Sequence, residues 1–495
     1  MGRLISRSQY LMGLQCPKRL WLYKNRRALL PPQDEAARVQ LASGAAVEAL
    51  GRGLYPGGRL IQVGAGAFRR AMADTARGLK KGAVLYGATV SAGGMFARCD
   101  ILSPAPGGAW DLVDVTSALT AREEHVQGLA AQACALSAAG LKVRSALLAR
   151  VNRDYVRATP VSPRDFFVTE DLTAPVMEAA RLLPSALQGL DAELSSPEEP
   201  RTPIGERCLA PHECPFRAYC WKGLPPLSVF NLPRLSWEKR GALRLMGITA
   251  AADIPDTFEL EPWQRRCVEA ARTGRPVMDA AAIRAFLAGL SYPLYHIDFE
   301  TVMSAIPLYD GTRPYQQVPF QVSLHVQASP GAVPSHFEHL ASPAGDPRPG
   351  VADFLLSHIG PDGSLVAYNS PFEEARLMET ARDLGGRASA LAGFAARLRD
   401  LAAPFRDRAY VHPAFNGSYS LKKVLPVIAP ELSYDGLSIS GGAQAQFTFL
   451  AMAEGRLSPA EAGRAAAGLK EYCGRDTLAM VRILEELYRV SKEER

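Results

Sequence analysis

Nowhere in its 495 residues does the chain run to about 18 consecutive apolar residues, so no membrane-spanning helix is expected. The stretch Met1 to Tyr10 has arginines but lacks the apolar core of a secretion signal, which points to a cytoplasmic location. Cysteine is sparse, with eight in 495 residues, and without secretion these are read as metal ligands or buried thiols rather than a disulfide framework. Charge of one sign is not in large excess. The formal +6 permits nucleic-acid binding without requiring it, because local patterning decides. No internal repeat is present, and alanine-rich helix surface is the one low-complexity feature. What remains, 47% hydrophobic and 21% charged residues, is ordinary for a globular protein. The length exceeds one core and predicts two or three domains.

Three parts are expected: 1–221, a short helical connector at 222–290, and 291–495. In the first, Thr89 to Thr116 alternates as a hairpin turning at Pro104-Ala105-Pro106-Gly107-Gly108. Glu123 to Ala139 then reads as a helix, and Val143 to Val151 as a strand. In the connector, Trp263 to Arg272 and Asp279 to Leu290 are the clearest helices. From Tyr292 onward, strands alternate with helices and end in a long helix from about Lys470 to Val490, a mixed α/β layer pattern.

Tyr295-His296-Ile297-Asp298-Phe299-Glu300 is a strand in which Asp298 and Glu300 project from one face. Adjacent acids repel unless something positive lies between them, most often a divalent metal. Val366 to Glu373 reads as another strand running into an acid, and Tyr472 and Asp476 lie one helical turn apart. Three separated segments delivering carboxylates suggest a two-metal phosphodiesterase site.

Cys208, Cys214 and Cys220 lie on a proline-interrupted loop, and Cys16 in Gln15-Cys16-Pro17-Lys18 is the fourth thiol that would close a site. Four thiolates suit either zinc or an iron–sulfur cluster. Cys99, Cys134, Cys267 and Cys473 are read as buried hydrophobes. One distant cysteine plus a closing trio, around an acid-bearing hairpin, resembles the iron–sulfur branch of the RecB-type PD-(D/E)XK nucleases, which includes CRISPR-associated adaptation nucleases. The resemblance implies a restriction-endonuclease-like fold over 1–221 and a [4Fe–4S] cluster on Cys16, Cys208, Cys214 and Cys220, with zinc as the alternative. It also matches Asp100 and Asp114 to metal-binding hairpin acids and Gln132 to a helix glutamine that contacts nucleic acid. Thr116 stands where the family has lysine, and Ser43 to Val47 offers no histidine. A hydroxyl cannot stabilise a developing hydroxide as an ammonium can, so a degenerate, substrate-gripping domain is expected. Lys18, Arg19 and Lys24, interleaved with Trp21 and Tyr23, would track phosphates and stack on bases.

The C-terminal acids resemble the DEDD exonucleases, which have a ribonuclease-H-like fold. Asp298 and Glu300 match the first motif, Asn369 to Glu373 the second, with glutamate where aspartate is usual, and Tyr472 with Asp476 the third. The resemblance implies two Mg2+ or Mn2+ ions on Asp298, Glu300, Glu373 and Asp476, with Tyr472 orienting water. Asn369, Lys422 and Lys423 would contact substrate. Asp400 is read as a cap or supporting group, and His325 and His412 as structural. The expected function is a metal-dependent exonuclease on single-stranded DNA or RNA ends, 3′ to 5′, in DNA repair or defence. The alternatives are a dual nuclease and a non-catalytic iron–sulfur nucleic-acid-binding protein.

Overall fold

The computed structural model describes residues 4–32, 35–62 and 68–492. The chain divides into two compact units: Met1–Lys222 with Ser304–Gln316, and Gly223–Met303 with Gln317–Arg495. Both are mixed α/β.

The first unit is built on a seven-stranded sheet. Its strands are β1 (Ile5–Ser6), β2 (Arg59–Leu60), β3 (Leu85–Ala92), β4 (Met95–Ala105), β5 (Ala109–Thr116), β6 (Val143–Val151) and β7 (Phe167–Asp171). The order is β2-β3-β4-β5-β6-β7, with β1 beside the start of β4. The predicted hairpin is β4–β5, paired from Ile101↔Val113 to Ala105↔Ala109. Gly107 and Gly108 at its tip both have positive φ, which explains glycine at this turn. Alternation gives the sheet two apolar faces. Leu102, Leu112 and Leu148 pack against helices Glu123–Ala138 and Thr173–Ser195, while Ile101, Val113 and Ala149 pack against Phe166 and Phe167.

The second unit carries a two-stranded pair, β8 (Val277–Met278) with β14 (Tyr410–Val411), and a five-stranded sheet. The latter comprises β9 (Leu294–Val302), β10 (Val318–Gln327), β11 (Ser335–Leu340), β12 (Ser364–Ala367) and β13 (Leu398–Asp400), ordered β11-β10-β9-β12-β13. Pairing is antiparallel through β11, β10 and β9 and parallel from β9 to β13. The helices of 223–290 cluster with this unit rather than standing alone. Leu232, Leu235, Leu243, Ile254 and Val268 form one apolar cluster with Val411, and β8 pairs directly with β14.

Strand β9 is sorted by its period of two. Tyr295, Ile297 and Phe299 enter a core with helices Arg348–His358, Pro371–Asp383 and Ala388–Ala396. His296, Asp298 and Glu300 take the opposite face. Strand β12 ends at Ala367, six residues before Glu373. Asn369 adopts φ +71° and Pro371 starts a helix, so Glu373 sits in a first helical turn rather than on a strand. The last helix, Pro459–Ser491, begins well before Lys470, because Ser458 and Glu461 form a capping box and Pro459 favours the first helical position.

Gly363, at φ +90°, turns the chain into β12, and an added Cβ would collide with the Pro293 carbonyl. Gly363→Ala is expected to destabilise by more than about 1 kcal/mol, read as a lower urea midpoint at unchanged m. An unchanged midpoint would show that this turn relaxes freely.

Candidate metal centre and cysteine pocket

Strand β9 and helix Pro459–Ser491 together deliver the carboxylates. Asp298, Glu300 and Asp476 each offer an oxygen, and these oxygens lie within 4.8 Å of one another. Glu300 and Asp476 are buried and Asp298 is half-buried. Burial, then Asp476, Glu300 and Glu373, holds the Asp298 carboxyl far above its ordinary range. Glu300 is pushed up to about 8 by burial and then by Asp476, with Lys422 acting against the shift. Glu373 is also raised to about 8, chiefly by burial, and its Oε2 is buried without a hydrogen-bond partner. Asp476 rises less, to about 6, because phenols from Tyr434 and Tyr472 and the charge of Lys422 offset its burial.

The surrounding groups are mostly neutral donors. Tyr434 donates to Asp476 Oδ1, and burial holds both phenols well above their usual range, so they stay protonated. Cys473 Sγ lies 3.5 Å from Asp298 Oδ2, and its thiol is raised by burial and by the same acids. Ser323, the cross-strand partner of Asp298, contacts Thr477 Oγ1 at 2.7 Å and His336 Nε2 at 3.0 Å. Thr477 in turn reaches His325 Nδ1 at 2.8 Å. Burial depresses His296 to about 3 and His325 to about 4, so this histidine row is uncharged at neutral pH and cannot balance the acids. Lys422 does contribute positive charge: its Nζ lies 5.5 Å from the Tyr472 ring centroid and 2.5 Å from Ser440 O. Four acids with so little counter-charge suit hard divalent cations.

Asp400 is a scaffold. Its Oδ1 accepts from the amides of Asn369 at 2.8 Å, Ser370 at 3.3 Å and Ala402 at 3.0 Å, and its Oδ2 pairs with Arg406. This fixes the turn that leads to Glu373. Lys423 is exposed on the helix Leu421–Ile428. Tyr434 and Cys473 were not foreseen as site residues. No motif marks Tyr434, and Cys473 looks like any apolar helix residue.

In the first unit, Asp100 and Asp114 lie on neighbouring strands. Arg7, 107 residues from Asp114, grips both oxygens of its carboxylate. Asp100 Oδ2 accepts from Val115 N–H at 2.9 Å, and burial followed by the Asp114 charge raises it to about 8. Gln132 is fully buried and donates to Arg98 O at 3.0 Å. Thr116 Oγ1 lies 3.5 Å from His125 Nε2. Of the contacts expected for nucleic acid, Gln132 and Trp21 do not reach the surface. Trp21 is 4% exposed, packs with Leu22, Cys214 and Phe216, and donates from its indole to Ser196 O. Lys18 pairs with Glu199 at 2.6 Å, and Lys24 is exposed.

Cys16, Cys208, Cys214 and Cys220 line one pocket, and none is in a disulfide. Gln15 clamps the closing loop by donating to the carbonyls of Arg207 and His212, both at 2.7 Å. Arg19 also lines the pocket, and its buried Nε has no hydrogen-bond partner. Burial, and then Lys18 acting against it, sets the Cys220 thiol at about 11.

A sequence profile described as a domain of unknown function, DUF2779, matches residues 295–420, which contain Asp298, Glu300 and Glu373. A stretch of 206 residues is 30% identical to the "Uncharacterized protein MG366 homolog" of Mycoplasma pneumoniae, covering 38% of this chain and 31% of that protein. Another of 207 residues is 28% identical to "Uncharacterized protein MG366" of Mycoplasma genitalium, with 38% and 31% covered. The chain therefore spans about a third of the length of the curated relatives it matches. No solved structure matches it significantly.

Glu300 has a folded pKa of about 8 against ~4.3 when unfolded. Folded protein thus holds a proton that the unfolded chain releases, and this stabilisation is complete below ~4.3 and lost as pH rises through about 8. With chelator present, the urea midpoint should fall between about pH 5 and pH 8, and fall less in Glu300→Gln. Equal slopes in both proteins would refute the assignment. Added Mg2+ should stabilise the wild type most at the alkaline end.

Proposed function

We propose that the chain is a metal-dependent exonuclease that removes nucleotides from single-stranded nucleic-acid ends, 3′ to 5′, through its second unit. One observation carries this reading: the convergence of Asp298, Glu300 and Asp476 oxygens within 4.8 Å, with the unpartnered Glu373 Oε2 beside them. The mixed five-stranded sheet with its long C-terminal helix supports a ribonuclease-H-like assignment.

Asp298, Glu300, Glu373 and Asp476 would hold two Mg2+ or Mn2+ ions. When bound, these would acidify the attacking water and stabilise the leaving 3′ oxygen. Tyr472, kept protonated, would orient that water by hydrogen bonding rather than take its proton. Tyr434 holds Asp476 in place. Water adds to phosphorus, the bond from phosphorus to the 3′ oxygen breaks, and that oxygen gains a proton. A nucleoside 5′-monophosphate is released.

The first unit would be a PD-(D/E)XK-like platform that grips substrate without cutting, because Arg7 already supplies the positive charge that Asp114 would seek from a metal. Its pocket of four cysteines would hold a [4Fe–4S] cluster. Zinc, which also accepts four thiolates, is the alternative occupant. The Arg19 Nε–H is an available donor to such a cluster.

With an end-labelled single strand and Mg2+, wild type should degrade the label, Asp298→Ala should be inactive, and Asp114→Ala should retain activity. The reverse pattern would move the working site to the first unit, and an inactive wild type would leave only nucleic-acid binding. Separately, iron and acid-labile sulfide should accompany a visible absorption band that is lost in Cys214→Ser. Zinc without sulfide would overturn the cluster.

A further inference from the structure

We propose that the second unit holds a separate nucleotide-binding cavity, which takes an aromatic base together with its phosphate. The cavity, of about 410 Å³, is lined by Pro233, Arg234, Trp263, Arg406, Asp407, Arg408 and Tyr419. That volume lies in the range of small-ligand sites. Its lining combines two half-buried rings with three guanidinium groups and one carboxylate; Arg406 is already paired with Asp407 and Asp400, so the excess positive charge comes from Arg234 and Arg408. Base faces stack on aromatic rings and on guanidinium planes, and arginine forks match phosphate oxygens.

Three further observations mark a built site rather than a surface dent. Arg408 is 5% exposed, donates to Phe405 O and Gly417 O, and keeps a buried Nε with no partner. Its guanidinium lies 5.7 Å from the Tyr419 ring centroid, and that of Arg234 lies 6.0 Å from Trp263. Arg234 and Arg408 both take positive φ, +52° and +62°, a conformation that costs a bulky residue energy and so is held by its surroundings.

The cavity wall is continuous with the carboxylate turn. Arg406 pairs with Asp400, which holds the Asn369 and Ser370 amides, and Tyr368 donates to Tyr419 O at 2.6 Å. A nucleotide seated there would brace the turn that carries Glu373. The ligand is either one unit of a strand or a free nucleoside monophosphate, and the chemistry is the same for both. The inference does not depend on the carboxylate site being catalytic.

The test is calorimetric titration of the full chain in chelator with adenosine 5′-monophosphate, adenosine, inorganic phosphate and a short unlabelled single strand. The monophosphate or the strand should bind saturably, with adenosine and phosphate each at least about tenfold weaker. Competition between strand and monophosphate identifies a strand subsite, and binding of the monophosphate alone identifies a free-nucleotide site. Arg234→Gln, on an exposed side chain, and Trp263→Leu should each weaken binding about tenfold, while Asp298→Ala leaves it unchanged. Phosphate binding as tightly as the monophosphate, no binding by either nucleotide form, or full affinity in Arg234→Gln would overturn the proposal. Because no metal or turnover is involved, failure here is distinct from failure of the exonuclease reading.

Discussion

Like-charge crowding on β9 and the last helix is the constraint around which the second unit is arranged. At an effective dielectric of about 20, two full charges 4.8 Å apart repel by about 3 kcal/mol. Asp298, Glu300 and Asp476 therefore cannot all be ionised unless a cation enters; without one, protons are retained, and their protonation belongs to the group rather than to any one residue. The fold offers partial relief only. Tyr434 and Tyr472 donate to Asp476 and Lys422 adds one positive charge, while the nearby histidines are kept neutral by burial. A divalent ion is the kind of charge that would balance such a cluster.

The first unit meets the same problem with a different answer. Asp100 and Asp114 also crowd one sheet face, but Arg7 reaches across 107 residues to satisfy Asp114, and Val115 N–H satisfies one oxygen of Asp100. A guanidinium is always charged, so Arg7 neutralises Asp114 without a metal. A threonine at position 116 and the Arg7–Asp114 ion pair are both in keeping with the platform proposed for this unit.

Both units spend long-range hydrogen bonds on holding chemistry-bearing loops. Gln15 ties the cysteine loop through three carbonyls, and Asp400 ties the Glu373 turn through two amides. Asp400 also carries Arg406, so the turn and the arginine-lined cavity share one support. Rigid placement matters because carboxylate ligands displaced by an ångström lose most of their value to a metal site.

Much of this was legible without coordinates, because it depends on local periodicity. The period of two places Asp298 and Glu300 on one face, a helical turn separates Tyr472 from Asp476, and Val143–Val151 reads as a strand throughout. The capping box at Ser458 was also in the sequence, although only the structure drew the helix back to it. Glu373 was misplaced onto a strand because Asn369 turns the chain through a left-handed conformation that local pattern does not signal. Tyr434, Cys473, the Arg7–Asp114 pair and the burial of Trp21 and Gln132 were beyond reach for a common reason. Each depends on contacts between segments far apart in the chain, and no spacing rule encodes which distant side chain fills the space beside a carboxylate. The sequence by itself determined which residues carry side chains of metal-ligating type. The tertiary structure decided which of them are left without a counter-charge, because burial and partnership are properties of the packed chain.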